Sequence, residues 1–244
     1  MIAGKRLIVV LPAYNAAATL AAVVAGLPPE VDRVILGDDA SQDQTAALAR
    51  KLGLEVHAHS QNRGYGANQK TCYDAALQAG ADVVVMVHPD GQHPPSQVAA
   101  LAGLVATGPH ALAFGTRMRG NGARAGGMPW HRLLANRGLT AFQNRLLRQQ
   151  LSEYHSGFRA YRRGTLEQLP YHRNADGFLF DSQLLLQAIW RGLPIGELAV
   201  PTRYGPESSS IRLAPAVAYG VGVMTGTLEV YRARSGGKVP DWLV

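Results

Sequence analysis

The sequence predicts an α/β domain with a doubly wound, mostly parallel sheet and helices on both faces, and three observations predict it. Short apolar runs of strand length alternate with helical stretches through the first half of the 244 residues. Such βαβα alternation with short connections builds a parallel sheet flanked by helices. The polar clusters fall at the carboxyl ends of the apolar runs, where sheets of this kind bind ligands. Hydrophobic residues make up 47% of the chain, enough for a substantial core.

The elements follow in order. Leu7-Ile8-Val9-Val10-Leu11 is a buried strand, read as such and not as a targeting segment because Pro12 ends it so soon. A helix spans 19–27 and is stopped by Pro28 and Pro29. Val34-Ile35-Leu36 leads to Asp38-Asp39, and a helix over 42–52 follows with Ser41 or Asp43 near its cap. A short strand at 54–57 precedes a helix over 67–79, which Gly80 terminates. Val83-Val84-Val85-Met86-Val87 ends in His88-Pro89-Asp90-Gly91-Gln92, and a helix runs from 94 to 105. Strands at 111–115, 157–161 and 195–200 and helices at 133–147 and 178–190 complete the reading, with 120–127 as a glycine-rich loop. Two units are expected, a domain over 1–212 and a C-terminal helix and tail over 213–244. The stretch 213–231 is only moderately apolar, suited to burial, a membrane surface or a dimer contact, and no membrane-spanning helix is expected.

Cys72 is the only cysteine, so no disulfide forms within the chain. The net charge is +7, and between Arg117 and Arg163 stand ten arginines and one acid, Glu153. That bias calls for an anionic partner. Nucleic acid is set aside because aromatic residues are not interleaved with the arginines. A cytoplasmic protein, peripheral on the inner face of a membrane, is the expected setting.

Several clusters can carry chemistry. Asp90 ends an apolar strand beside Pro89 and Gly91; with the amide of Gln92 and the imidazole of His88 it offers a divalent cation, Mg²⁺ or Mn²⁺, an oxygen-rich set. An Asp-Gly turn with ordinary polar neighbours would look the same. Of the adjacent acids Asp38 and Asp39, only one faces a ligand, where it can accept from a base or a ribose hydroxyl. The run Asn62-Arg63-Gly64-Tyr65-Gly66-Ala67-Asn68-Gln69-Lys70 opens a helix, and its backbone amides can meet an anion. Asp181 begins an apolar helix, where it complements the helix dipole or acts as a general base.

Together these motifs resemble the family-2 glycosyltransferases of the GT-A fold. The carriers are Leu11-Pro12-Ala13-Tyr14-Asn15, the stretch from Asp38 to Thr45, Asn62-Arg63-Gly64-Tyr65-Gly66-Ala67, Asp90-Gly91-Gln92-His93-Pro94-Pro95 and Ser156-Gly157-Phe158-Arg159. The chain is most similar to the branch of dolichol-phosphate mannose synthases and bacterial polyprenyl-phosphate sugar transferases. The resemblance implies a nucleotide-sugar donor, UDP- or GDP-linked, and inverting, metal-assisted transfer of a hexose to a polyprenyl phosphate, lipid or other hydroxyl acceptor. Pro12, Tyr14 and Asp39 would frame base and ribose, with Asn15, Gly64, Asn68, Lys70 and Pro89 in the same donor site. Asp90 and Gln92 would bind metal and diphosphate, Arg117 a phosphate, and Asp181 would be the base. The chain departs from the family pattern at His88, where the first of two aspartates usually stands, at Ala16 in place of glutamate, and at Glu207 in place of an arginine. His88 and Ala16 motivate an alternative reading, a nucleotide-sugar-binding protein without turnover, and Glu207 bears on the lipid-phosphate acceptor.

Overall fold

The computed structural model describes residues 1–119, 122–202 and 213–244. Its seven strands form one sheet in the order β3-β2-β1-β4-β6-β5-β7. They are β1 (Leu7–Ala13), β2 (Arg33–Asp38), β3 (Glu55–Ala58), β4 (Val83–Met86), β5 (Leu112–Thr116), β6 (Arg159–Arg162) and β7 (Ile195–Ala199). The pairs β1–β2, β1–β4, β2–β3 and β5–β7 are parallel. Strand β6 lies antiparallel between β4 and β5, so the sheet is mixed but mostly parallel.

Side-chain alternation along β1 divides the core. Leu7, Val9 and Leu11 pack with Leu20 and Val23 of α1 (Ala17–Ala25), Ala49 of α2 (Thr45–Lys51) and Leu101 of α4 (Val98–Ala106). Ile8 and Val10 face the other layer, against Cys72 and Tyr73 of α3 (Tyr65–Gln78) and Leu184 and Leu185 of α8 (Phe180–Trp190). Both faces of the sheet are thereby covered, which parallel strands require.

Several boundaries differ from the sequence reading. Helix α2 starts at Thr45 because the residues before it are held in a turn: Ser41 N donates to Asp38 Oδ2 at 3.2 Å, Gln42 N to Asn15 Oδ1 at 2.8 Å and Thr45 N to Asp43 Oδ1 at 2.9 Å. Within the expected loop over 120–127, Gly122–Ala125 is a short helix, α5. Helix α6 begins early, at Trp130, behind Pro129, and runs to Leu147. A further helix, α7 (Arg163–Gln168), was not anticipated. Glu207, noted above as a departure from the family pattern, lies outside the described residues.

The C-terminal stretch forms α9 (Leu213–Arg234). It packs against α6 and α8, and its tail returns to the core: Leu243 is fully buried, Trp242 Nε1 donates to Glu229 Oε2 at 2.9 Å, and Arg234 donates to Leu147 O and Ile189 O. Among the described residues no helix is long and apolar enough to cross a membrane.

Candidate active site

A cavity of about 740 Å³ opens beyond the carboxyl ends of β1, β2 and β4. Ahead of β4, Pro12, Tyr14, Asn15, Asp39, Gly64 and Asn68 line it; beyond β4, His88, Pro89, Asp90, Gln92, Arg117 and Asp181 do. Asp38 does not, consistent with adjacent strand residues pointing to opposite sides.

Asp39 is almost fully buried and already engaged. Its Oδ1 accepts from Arg63 N at 2.8 Å and lies 2.7 Å from His59 Nδ1; its Oδ2 accepts from Gly64 N at 2.9 Å. The carboxylate therefore shapes the loop at 62–64 as well as the cavity wall. Asn68 is buried, and its Nδ2 bridges Ala13 O and Gly37 O at 3.2 and 2.9 Å, tying α3 across β1 and β2.

Lys70 is not brought to the cavity. Its Nζ bonds Asn174 O at 2.5 Å and Asp176 Oδ1 at 2.7 Å. The first amides of α3 are turned to the same segment, with Gly66 N and Ala67 N donating to Asp176 O at 2.6 and 3.2 Å. The helix terminus expected to meet an anion is thus closed by the chain's own carbonyl. This contact also explains Gly66, where a Cβ would fall 2.4 Å from Ala175 O.

Asp90 sits in a turn with Gly91 at φ +70, and its Oδ1 accepts from Gln92 N at 3.0 Å. Thr19 Oγ1 of α1 donates to Pro89 O and steadies the approach to that turn. Behind it His93 is buried and stacked on Phe158 with centroids 5.4 Å apart; burial pushes its pKa down to about 3. Among the described residues no three His, Cys, Asp or Glu side chains gather into a metal cage. At the turn that follows β4 the cavity instead offers the carboxylate of Asp90, the imidazole of His88 and the amide of Gln92.

Around His88 and Asp181 stands a hydrogen-bonded group whose central member, Tyr65, sequence reasoning missed. Tyr65 Oη donates to Asp181 Oδ2 at 2.7 Å and lies 3.2 Å from His88 Nε2. Its ring is sandwiched between His88 and Phe178, with centroids 5.6 and 5.4 Å away. Gln69 Nε2 donates to Asp181 Oδ1 at 3.2 Å, and Tyr73 Oη donates to Gln69 Oε1 at 2.7 Å. Buried Arg159 fastens this wall, donating to Asp181 O at 2.6 Å, Ser156 O at 2.7 Å and Tyr154 O at 3.1 Å. Gly157 leaves room for His88: a Cβ there would lie 2.2 Å from His88 Nε2. The motif Ser156-Gly157-Phe158-Arg159 is therefore visible in the sequence, while the partners that explain it are not.

Arg117 follows β5, with Nε 3.4 Å from Oε2 of fully buried Glu153. Burial raises the Glu153 carboxyl and the guanidinium opposes that rise. On α6, Arg132, Ala135, Asn136 and Leu139 line the cavity, and on α9, Ala216 and Tyr219. The opposite sides of the two helices leave Trp130, Leu134, Val217, Val221 and Met224 exposed.

Comparison with known proteins places this geometry. The profile of Glycosyl transferase family 2 matches residues 8–169. A polyprenol monophosphomannose synthase of Mycolicibacterium smegmatis is 30% identical over 206 residues, covering 80% of this chain and 77% of that protein. A UDP-N-acetylglucosamine–dolichyl-phosphate N-acetylglucosaminyltransferase of Methanococcus voltae is 28% identical over 248 residues, covering 94% and 95%. Among solved structures, glucosyl-3-phosphoglycerate synthase from Mycobacterium tuberculosis in complex with Mn²⁺, uridine diphosphate and phosphoglyceric acid superposes with a TM-score of 0.68 at 25% identity, over 98% of this chain and 81% of that one.

Proposed function

The chain belongs to glycosyl transferase family 2 and is a glycosyltransferase of the GT-A fold, and we propose that it moves a hexose, with inversion, from a UDP- or GDP-sugar to a polyprenyl phosphate at a membrane surface. The observation that carries the acceptor is the pair of helices α6 and α9. Their inner sides line the cavity, and their outer sides expose six large apolar side chains among the described residues. Such a face would hold the protein at the bilayer surface, where a lipid-linked phosphate acceptor resides. The names of the two curated relatives support this choice.

Tyr14, half exposed at the rim, is placed to stack on the base. Asp39 keeps accepting capacity beyond its three present contacts and can take a ribose hydroxyl. Asp90, Gln92 and His88 suit a divalent cation that arrives with the donor, because such ions are commonly held by one or two protein groups, with phosphates and water completing the shell. When bound, the cation supplies charge neutralisation to the departing diphosphate, as the Mn²⁺ and uridine diphosphate of the solved neighbour suggest. Arg117, steadied by Glu153, stabilises phosphate charge from the other side. A phosphate acceptor is already an anion and needs no base. Asp181 accepts bonds on both of its oxygens, which suits it to holding the acceptor and sugar in line.

UDP-, GDP- and dTDP-sugars, with and without Mn²⁺, are screened for thermal stabilisation. The stabilising donor is then offered with a polyprenyl phosphate and with the matching polyprenol. The expected result is product with the phosphate only, and near-normal turnover by Asp181→Asn. No shift with any donor overturns the donor reading; product only with the alcohol overturns the acceptor.

A further inference from the structure

Proton bookkeeping around Tyr65 determines more than its contacts suggest. Tyr73 Oη donates to Gln69 Oε1, which turns the amide nitrogen of Gln69 towards Asp181. Asp181 then accepts on both oxygens, from Gln69 at 3.2 Å and from Tyr65 at 2.7 Å. A phenol has one proton, and that of Tyr65 is engaged by the carboxylate. The remaining contact, 3.2 Å to His88 Nε2, can form only if His88 donates. A neutral imidazole that carries its proton on Nε2 leaves the lone pair on Nδ1. The ring cannot readily escape this arrangement: it stacks on Tyr65 with only 13° between planes, and Gly157 closes against Nε2.

We infer that Tyr65 is a positioning residue that holds His88 in its Nε2–H tautomer, so that Nδ1 is presented as a ligand to a divalent cation carried by the donor diphosphate. The inference rests on the metal use proposed for this site. It assigns Tyr65 the part that a carboxylate or carbonyl plays behind most metal-binding histidines, fixing tautomer and ring orientation through the nitrogen that does not ligate. It also gives a reason for an imidazole at position 88. A nitrogen ligand leaves the cation with one formal negative charge fewer than a second carboxylate would, and it favours Mn²⁺ over Mg²⁺. Because the same phenol also holds Asp181, the donor end and the acceptor end of the cavity share one hydrogen-bonded support.

The test begins without donor or metal. Long-range ¹⁵N–¹H spectra of ¹⁵N-histidine protein, with the His88 signal assigned by its loss in His88→Gln, report the tautomer directly. The wild type is expected to show Nε2–H, and Tyr65→Phe, which keeps the ring stack and removes only the hydroxyl, a mixture. Free Mn²⁺ is then followed by electron paramagnetic resonance as it is titrated into each protein with UDP and, separately, GDP. Tyr65→Phe is expected to bind Mn²⁺ about 10-fold more weakly, the lower end of what removing such a supporting group costs. An Nδ1–H tautomer in the wild type overturns the proposal, and so does equal Mn²⁺ affinity in the two proteins. If the wild type binds no Mn²⁺ with either nucleotide, the ligand role of His88 falls together with the metal reading beneath it. The spectra still decide separately whether Tyr65 sets the tautomer.

Discussion

His155 lies in the cavity wall with Nδ1 2.9 Å from Tyr219 Oη, and burial, with Arg117 and Arg159 nearby, pushes its pKa down to about 3. The unfolded chain protonates the same imidazole near its ordinary value of about 6.5. Between those values the unfolded state holds the extra proton, so stability rises with pH and is lost as pH falls below about 6.5. The loss is roughly 2 kcal/mol for this one group by pH 5. His93, shifted the same way, adds to it. His155→Asn can keep a hydrogen bond to Tyr219 but cannot titrate. Urea denaturation at a series of pH values is expected to show a shallower decline for the variant between pH 6.5 and 5, and parallel curves would contradict the burial argument. At this scale the sequence was legible where an acid ends or begins an apolar element: Asp39, Asp90 and Asp181 all line the cavity, as does Arg117, which the family resemblance implied. It was not legible where a role depends on a remote partner. Lys70 was expected in the donor site, yet Asn174 and Asp176, about a hundred positions away, take its ammonium. Tyr65 and Glu153 went unassigned for the same reason.

Helix α3 positions more of the cavity than any motif on it suggests, because its close approach to the sheet brings Tyr65 and Asn68 into the wall. That approach depends on Gly37 of β2, where a Cβ would come 2.1 Å from Asn68 Oδ1 and 2.7 Å from Cys72 Sγ. Gly37→Ala must push the helix outward or turn the Asn68 amide away from Ala13 O and Gly37 O. Overpacking of this kind costs about 1–3 kcal/mol. The urea midpoint is expected to fall by a corresponding amount with an unchanged slope, and an unchanged midpoint would mean that α3 accommodates the methyl without cost. The periodicity of apolar residues located the seven strands, but it carries no information on which strand neighbours which. The antiparallel insertion of β6 between β4 and β5 could not be read for that reason. Helix starts shifted where side chains of other elements captured the first turn, as Asn15 does ahead of α2.

On the scale of the whole molecule, charge and apolar exposure coincide. Val217, Val221, Met224 and Tyr231 are exposed at spacings that place them on one side of α9, and Trp130, with 73% of its surface open, and Leu134 are exposed on α6. Arg124, Arg137, Arg145 and Arg148 are exposed along the same stretch of chain, Arg137 one turn on from Leu134, and the described part of the chain from 122 to 147 contains no acid. An apolar face bordered by arginines suits an anionic bilayer, which rewards burial of the apolar side chains and attracts each nearby cation by about 1 kcal/mol. Neither term alone holds a protein firmly, so binding should need both. Vesicles of phosphatidylcholine with about a third phosphatidylglycerol, roughly the charge such attraction requires, are expected to sediment with the protein at low salt and to blue-shift the fluorescence of Trp130, a shift absent in Trp130→Phe. Neutral vesicles should bind much less. Raising the salt towards 1 M, where the screening length falls to about 3 Å, should release most of the protein. Leu134→Glu with Val221→Asp should weaken binding at least tenfold while leaving donor-induced thermal stabilisation intact, since neither side chain lines the cavity. Equal binding of wild type and double variant would show that this face does not meet the lipid. Concentration-dependent self-association without vesicle binding would assign it to a second copy of the chain instead.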